Sequence, residues 1–344
     1  MNPVTELLQL THPYVDRPDL IQGPGGNTSV KHEGNLYIKA SGFRFEEMSQ
    51  TAGFSCVAYQ PIVDFFHQVI PSDKQSDESG MLELVSSCIQ KQSDGLSYPK
   101  PSMETGFHAV LDKYVVHTHS VWSNLINCNS NKLNIVESLK SKGIISVEIP
   151  FVSPGFGLSY LVTQALILAK HNNQPMPEVF FLANHGIIAH SNSMEKVWSL
   201  LDLVDETIAN AFNLTKTYPS TKIHGAEMYW KPASEYALDL IMKYQADEQF
   251  FEQVLFPDQT VFFKGHMSFD SKRHSKINIG KDGIVYNCSN REARSIHETM
   301  TAYLFIYDTI INHKNTPQYI ESVEIDYINS MSMEKHRKSL FDQK

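Results

Sequence analysis

At 344 residues, 42% of them hydrophobic and 19% charged, the chain is longer than a typical single domain and has the make-up of a folded globular protein, not a disordered one. A formal net charge of −9 argues against nucleic acid as the main partner, because that binding depends on basic surface that neutralises phosphates. Cys56, Cys88, Cys128 and Cys288 follow no paired spacing, which speaks against a disulfide framework or a thiolate zinc site and for a reducing cytoplasm.

The N-terminal MNPVTELLQL has no basic n-region, and the apolar run at 161–169 is too short to cross a bilayer, so neither an export signal nor a membrane partner is expected. Residues 3–10 read as a short helix, after which Pro13 and Pro18 make the chain irregular. Residues 22–29 are QGPGGNTS. Three glycines and an asparagine so close together fit either a plain hairpin turn or a nest of converging N–H groups that binds an anion. A strand over 35–40 leads into Ser41 and Gly42, a second small-residue turn that favours the anion cradle. A strand over 54–59, a helix over 61–69 and an exposed polar loop over 72–79 follow, and residues 81–92 have helical spacing. Ser102 is placed to cap the next helix, with Glu104 in its first turn, where a carboxylate can simply complement the helix dipole.

Residues 114–119, YVVHTH, are apolar and β-branched before they end in His-Thr-His, the pattern of a strand. Alternate strand residues point to one face, so His117 and His119 can share one ion, and imidazole is the usual ligand of catalytic zinc. Ser120 caps a helix reaching 128, a second helix covers 135–140, and a strand over 143–149, a turn over 150–157 and an amphipathic helix over 158–171 come next. A buried strand over 178–183 delivers Asn184, His185 and Gly186. A lone histidine there is ordinarily structural, yet His185 supplies the missing third imidazole.

Residues 193–214 form a long amphipathic helix with Ser193 at its cap. From about Lys222 the character changes to a helix over 235–251, a strand-like run over 259–264, a polar basic loop over 265–275, a hairpin of 276–280 with 283–288 around Lys281 and Asp282, and a helix over 290–312. His266, His274 and His297 follow no ligand spacing and read as surface or packing residues.

Five short pieces occur in order: GGNTS at 25–29, ASG at 40–42, PSMETGFH at 101–108, HTHS at 117–120 and NHG at 184–186. Together they resemble the class II aldolase/adducin family, and most of all the aldolase half of bifunctional rhamnulose-1-phosphate aldolase/lactaldehyde dehydrogenases, as far as the segment at 330–340. The resemblance implies an α/β protein: a class II aldolase-type α/β/α layered fold around a central, mostly antiparallel sheet, with a catalytic domain over 1–222 and a small α/β extension over 223–344. It implies Zn2+, or another divalent transition metal, held by His117, His119 and His185, with Glu104 as the catalytic acid/base. Gly26, Asn27, Ser29, Ser41, Gly42 and Ser102 fall where the family binds substrate phosphate. Met103 departs from the monofunctional aldolases, which tend to carry a second hydroxyl there. The implied partner is a small phosphorylated sugar, and the implied assembly is a homo-oligomer, a tetramer, in which a tyrosine reaches the site from a neighbouring subunit.

The implied activity is cleavage of a ketose 1-phosphate, rhamnulose- or fuculose-phosphate-like, to dihydroxyacetone phosphate and an aldehyde through a metal-stabilised enediolate. The same site serves a sugar-phosphate or sugar-acid epimerase, dehydratase or decarboxylase, and an adducin-like assembly module would use the fold without the metal.

Overall fold

The computed structural model describes residues 2–131, 134–269, 275–281 and 283–331. His274, most of the second half of the expected 265–275 loop, Asp282 of the expected hairpin turn and the resemblance beyond 331 lie outside them. The first part of the chain runs α1 (Pro3–Thr11), β1 (Asn27–His32), β2 (Asn35–Lys39), β3 (Phe54–Ala58), α2 (Gln60–Gln68), α3 (Lys74–Ser87), α4 (Thr105–Val110) and β4 (Tyr114–Thr118). It continues through α5 (Val121–Asn127), α6 (Ile135–Ser141), β5 (Ser146–Ile149), α7 (Phe156–His171), β6 (Val179–Leu182), β7 (Gly186–Ser191) and α8 (Met194–Ala211). The remainder comprises β8 (Ile223–Ala226), β9 (Tyr229–Pro232), α9 (Tyr236–Lys243), α10 (Glu248–Glu252), α11 (Asp258–Phe262), β10 (Met267–Ser268), β11 (Ile277–Gly280), β12 (Gly283–Tyr286), α12 (Asn290–Asn312) and α13 (Ser322–Ser330).

Strands β1 to β7 form one sheet of order β3-β2-β1-β4-β7-β6-β5, in which every neighbouring pair is antiparallel except β5 with β6. The expected α/β fold with a mostly antiparallel central sheet is therefore present. Its strands alternate between two buried faces, as the period of two requires. Val115, Phe180, Leu182 and Ile188 pack with Phe107 of α4 and Leu158 and Val162 of α7. On the other face Val116, Phe181, Ile187 and Ala189 join Leu7 of α1, Trp122 of α5 and Val204 of α8. Helices on both faces explain why the YVVHT run is buried along its whole length.

A second, five-stranded sheet has the order β10-β11-β12-β9-β8. Its Ile277 and Tyr286, with Tyr303 and Phe305 of α12, belong to the same apolar cluster as α1, α5 and α8. The Trp122 and Phe305 rings meet edge-on at 5.5 Å. Among the described residues no helix is long and apolar enough to cross a membrane.

Several elements differ from expectation. Residues 74–79, expected as loop, open α3, whose Asp73 cap accepts a hydrogen bond from the Ser76 N–H; the segment is polar because that turn is mostly exposed. The run over 259–264, expected as strand-like, instead lies largely in the helix Asp258–Phe262, since a short apolar run such as QTVFF fits either period. The helix expected under a Ser102 cap starts at Thr105, with Glu104 itself in the cap position. Residues 235–251 divide into α9 and α10, the break falling where Gln245 adopts φ 48°. Strands β7, β8, β9 and β10 and helix α13 have no counterpart among the expected elements.

Candidate active site

The apolar run of β4 ends by delivering His117 inside the strand and His119 one residue beyond it. His185 comes from the turn between β6 and β7, where Asn184 has φ 52°. Strand β7 lies so close to β4 that a Cβ on Gly186 would sit 2.2 Å from the Thr118 carbonyl oxygen, which is why glycine follows His185. The three imidazoles are buried, their ring centroids lie 4.9 to 5.0 Å apart, and one ligand atom from each lies within 4.8 Å of the others.

His117 Nδ1–H donates to the Ile187 carbonyl at 3.0 Å, which leaves the lone pair on Nε2. That nitrogen is buried and has no hydrogen-bond partner among the described residues. Burial pushes the His117 pKa down and keeps the ring neutral. The nearest charged atom is Glu104 Oε2 at 3.5 Å, while Glu104 Oε1, also without a hydrogen-bond partner among the described residues, lies 3.5 Å from His185 Nε2. A carboxylate oxygen and imidazole nitrogens gathered at a buried site are an arrangement that a cation between them would stabilise. Three imidazoles and a carboxylate fit a divalent transition ion, so the donor set passes that test.

Glu104 is held from behind. Asn27 Nδ2 donates to Glu104 Oε2 at 2.7 Å and to Ser102 Oγ at 3.1 Å. The Asn27 side-chain oxygen Oδ1 accepts from His108 Nε2, and His108 Nδ1 meets Ser29 Oγ at 2.7 Å. His108 is completely buried, and burial, reinforced by His117 and Lys31, drives its pKa well below the usual imidazole range. A neutral ring with its hydrogen on Nε2 therefore orients Asn27, and Asn27 orients the carboxylate.

Gly26, Asn27, Ser41, Gly42 and Ser102 line one pocket with Glu104, His119 and His185. Ser29 does not line it; it sits two residues further along the same face of β1 as Asn27, and its hydroxyl is turned into the interior on His108. Gly26 has φ 60°, and a Cβ there would lie 2.5 Å from Ile21 Cδ1 and 2.7 Å from the His117 carbonyl oxygen. The buried Lys39 ties the two turns together, its Nζ donating to the carbonyls of Pro24 and Phe43 at 3.0 and 2.8 Å. A larger cavity of about 700 Å³ borders Gly23, Arg44 and Glu298 and none of the three histidines, and its arginines are engaged by acids, Arg17 by Asp19, Arg44 by Glu298 and Arg294 by Glu46.

Three further residues of the site went unassigned in the sequence. His108 stands inside the PSMETGFH stretch, Lys39 in the strand before Ser41, and Asp258 just before the strand-like run over 259–264. Asp258 Oδ2 lies 2.5 Å from His119 Nδ1 across 139 residues of chain, a pairing for which the sequence carries no local signal. Helix α12 also reaches the site: Glu298 accepts from the Gly23 N–H at 2.8 Å, and Arg291 donates to the Gly42 carbonyl at 2.6 Å.

Residues 6–211 match the profile of the Class II Aldolase and Adducin N-terminal domain. The chain belongs to the class II aldolase and adducin family. Within it, the narrower likeness to the bifunctional enzymes rests on the sequence motifs. An uncharacterized oxidoreductase of Bacillus subtilis (strain 168), YuxG, is 28% identical to this class II aldolase family member over 203 residues, 55% of this chain and 27% of the relative. A 3-oxo-tetronate 4-phosphate decarboxylase of Escherichia coli (strain K12) is 29% identical over 138 residues, 37% of this chain and 62% of the relative. The match thus spans about a quarter of the first relative and less than two thirds of the second. Among solved structures, the N-terminal class II aldolase domain of a conserved protein from Thermoplasma acidophilum is 21% identical with a TM-score of 0.49, covering 60% of this chain and 92% of that one. Asp258 and α12 lie beyond the region that the family profile matches.

Proposed function

We propose that this protein is a metal-dependent carbon–carbon lyase that cleaves a ketose 1-phosphate of the rhamnulose or fuculose type to dihydroxyacetone phosphate and an aldehyde. The observation that carries the reading is the approach of the Glu104 carboxylate to His117 and His185, 3.5 Å to each, in the pocket that the two small-residue turns also line. His117, His119 and His185 hold Zn2+ or a similar divalent ion. Such an ion, when bound, supplies the positive charge that stabilises negative charge developing on the substrate's oxygens. Gly26, Asn27, Ser41, Gly42 and Ser102 hold the phosphate through N–H and hydroxyl donors and so fix the reacting end beside Glu104. As the carbon–carbon bond breaks, the hydroxyl on the carbon that becomes the aldehyde gives up its proton, and Glu104 delivers one to the carbon next to the ketone. Asn27 donates to Oε2, which leaves Oε1 as the atom that carries that proton. In this reading the enzyme works in the cytoplasm as a homo-oligomer, a tetramer, with residues 1–222 as catalytic domain and 223–344 as its extension.

The Zn2+-loaded protein is expected to form a ketose phosphate from dihydroxyacetone phosphate and a short aldehyde. Stoichiometric Zn2+ with no such product from any short aldehyde would overturn the reading. A sugar-acid phosphate decarboxylase is the second reading, supported by the Escherichia coli relative. There Glu104 would deliver its proton to the carbon that has lost CO2. Incubation with 3-oxo-tetronate 4-phosphate and NMR of the products separates the two.

A further inference from the structure

Two of the three imidazoles are held by residues 254–258, a segment beyond the region that the family profile matches. Asp258 is fully buried, and its Oδ2 lies 2.5 Å from His119 Nδ1. An imidazole with its hydrogen on Nδ1 facing a carboxylate keeps its lone pair on Nε2 and loses the freedom to flip. His185 follows Asn184, whose side-chain amide donates to the Leu255 carbonyl at 3.0 Å and to the Gln318 carbonyl at 2.6 Å. Cys128 Sγ, at the end of α5, donates to the same Leu255 carbonyl at 3.4 Å. The segment is itself braced. Gln259 Oε1 accepts from the N–H groups of Leu255 and Phe256, and Thr260 Oγ1 donates to the Pro257 carbonyl. Leu255, Phe256, Asp258, Gln259 and Thr260 are all buried, so water does not compete for these bonds.

We propose that residues 254–258 are a positioning element of the metal centre: Asp258 sets the tautomer and orientation of His119, and the Leu255 carbonyl sets the Asn184 turn that presents His185. The proposal rests on the reading of His117, His119 and His185 as a metal site. It assigns the C-terminal part of the chain a share in building that site. His117 takes its orientation from a neutral carbonyl of the main sheet, whereas His119 takes it from an ionisable side chain in the C-terminal part. A carboxylate behind a ligating imidazole raises the basicity of the ligand nitrogen and fixes the ring before the ion arrives.

The test uses the full chain with Zn2+ alone as the probe, in competition with a chromophoric chelator, and the visible spectrum of the Co2+-loaded protein as a second readout. Asp258→Asn keeps the size and an acceptor for Nδ1–H but removes the charge. Its Zn2+ dissociation constant is expected to rise about 10- to 100-fold, with a shifted Co2+ spectrum and a wild-type far-UV circular dichroism spectrum in the metal-free protein. Asn184→Gly tolerates the same positive φ and removes the side chain that carries the amide. It is expected to weaken Zn2+ binding in the same direction, and it decides the matter by the same two readouts if Asp258→Asn does not fold. Unchanged affinity together with an unchanged Co2+ spectrum overturns the proposal and leaves the metal site standing. A wild-type protein that takes up no Zn2+ overturns the metal reading, and the proposal with it.

Discussion

The two oxygens of Glu104 live in different surroundings. Oε2 accepts from Asn27, while Oε1 faces His185 with no hydrogen-bond partner among the described residues. Glu104→Gln is expected to keep the metal and lose about 100-fold or more in kcat, as removal of a positioned acid/base does. His117→Ala is expected to lose both, and metal analysis of the two variants side by side separates the roles. His108 acts one step further back. Replacing it by alanine strands the Asn27 side-chain oxygen Oδ1 and the Ser29 hydroxyl in the interior, at about 1–3 kcal/mol for each unsatisfied group. Denaturant unfolding of His108→Ala measures that loss. The sequence placed His117 and His119 by the period of a strand, and that period is a local property. His108 and Asn27 were equally close to hand, but their bond links α4 to the start of β1, and no spacing rule reports a contact between elements.

At the scale of elements, the turn at the start of α7 depends on one buried acid. Glu78 of α3 accepts from the Phe156 N–H at 2.8 Å, and burial raises its pKa from the usual carboxylate value to about 7. A carboxyl whose pKa is raised on folding binds its proton more tightly in the native state. Its stabilising effect is complete below the unfolded value and is lost as pH rises through the folded one. The wild-type protein should therefore lose stability between about pH 4.5 and 7, by at most about 1.4 kcal/mol per pH unit from this group. Glu78→Gln keeps an acceptor for Phe156 and cannot ionise, so its melting temperature should vary less over that window. The junction of β4 and β7 makes a different demand. Gly186→Ala drives a Cβ into the Thr118 carbonyl and is expected to cost at least about 1–3 kcal/mol, seen as a lower denaturation midpoint.

For the whole molecule, the decisive contacts join the ends of the chain. Arg44 and Glu298 form a buried pair with nitrogen–oxygen distances of 2.7 and 2.9 Å, and Glu298 also accepts from Gly23 in the first small-residue turn. Removing the guanidinium with Arg44→Met leaves a buried carboxylate without its main partner. A loss of about 3–5 kcal/mol is expected in equilibrium unfolding. A change near residue 44 thus registers in the packing of α12, and a change in α12 registers in the turns that line the pocket.

Much of the protein was determined by sequence alone, wherever short-range rules suffice. The family follows from its motifs, and the resemblance carries the mostly antiparallel sheet with it; the capped helices α5 and α8 and the His-Thr-His pair follow from capping residues and strand period, which act within a few residues. The tertiary structure alone decided that His108 covers the Ser29 hydroxyl, that residues 258–262 coil into a helix, and that Asp258 meets His119. Those outcomes depend on which buried polar atoms find partners across the fold. In a dry interior an unmatched hydrogen-bonding group is costly, so the partner is chosen by where the packed elements meet and not by distance along the chain.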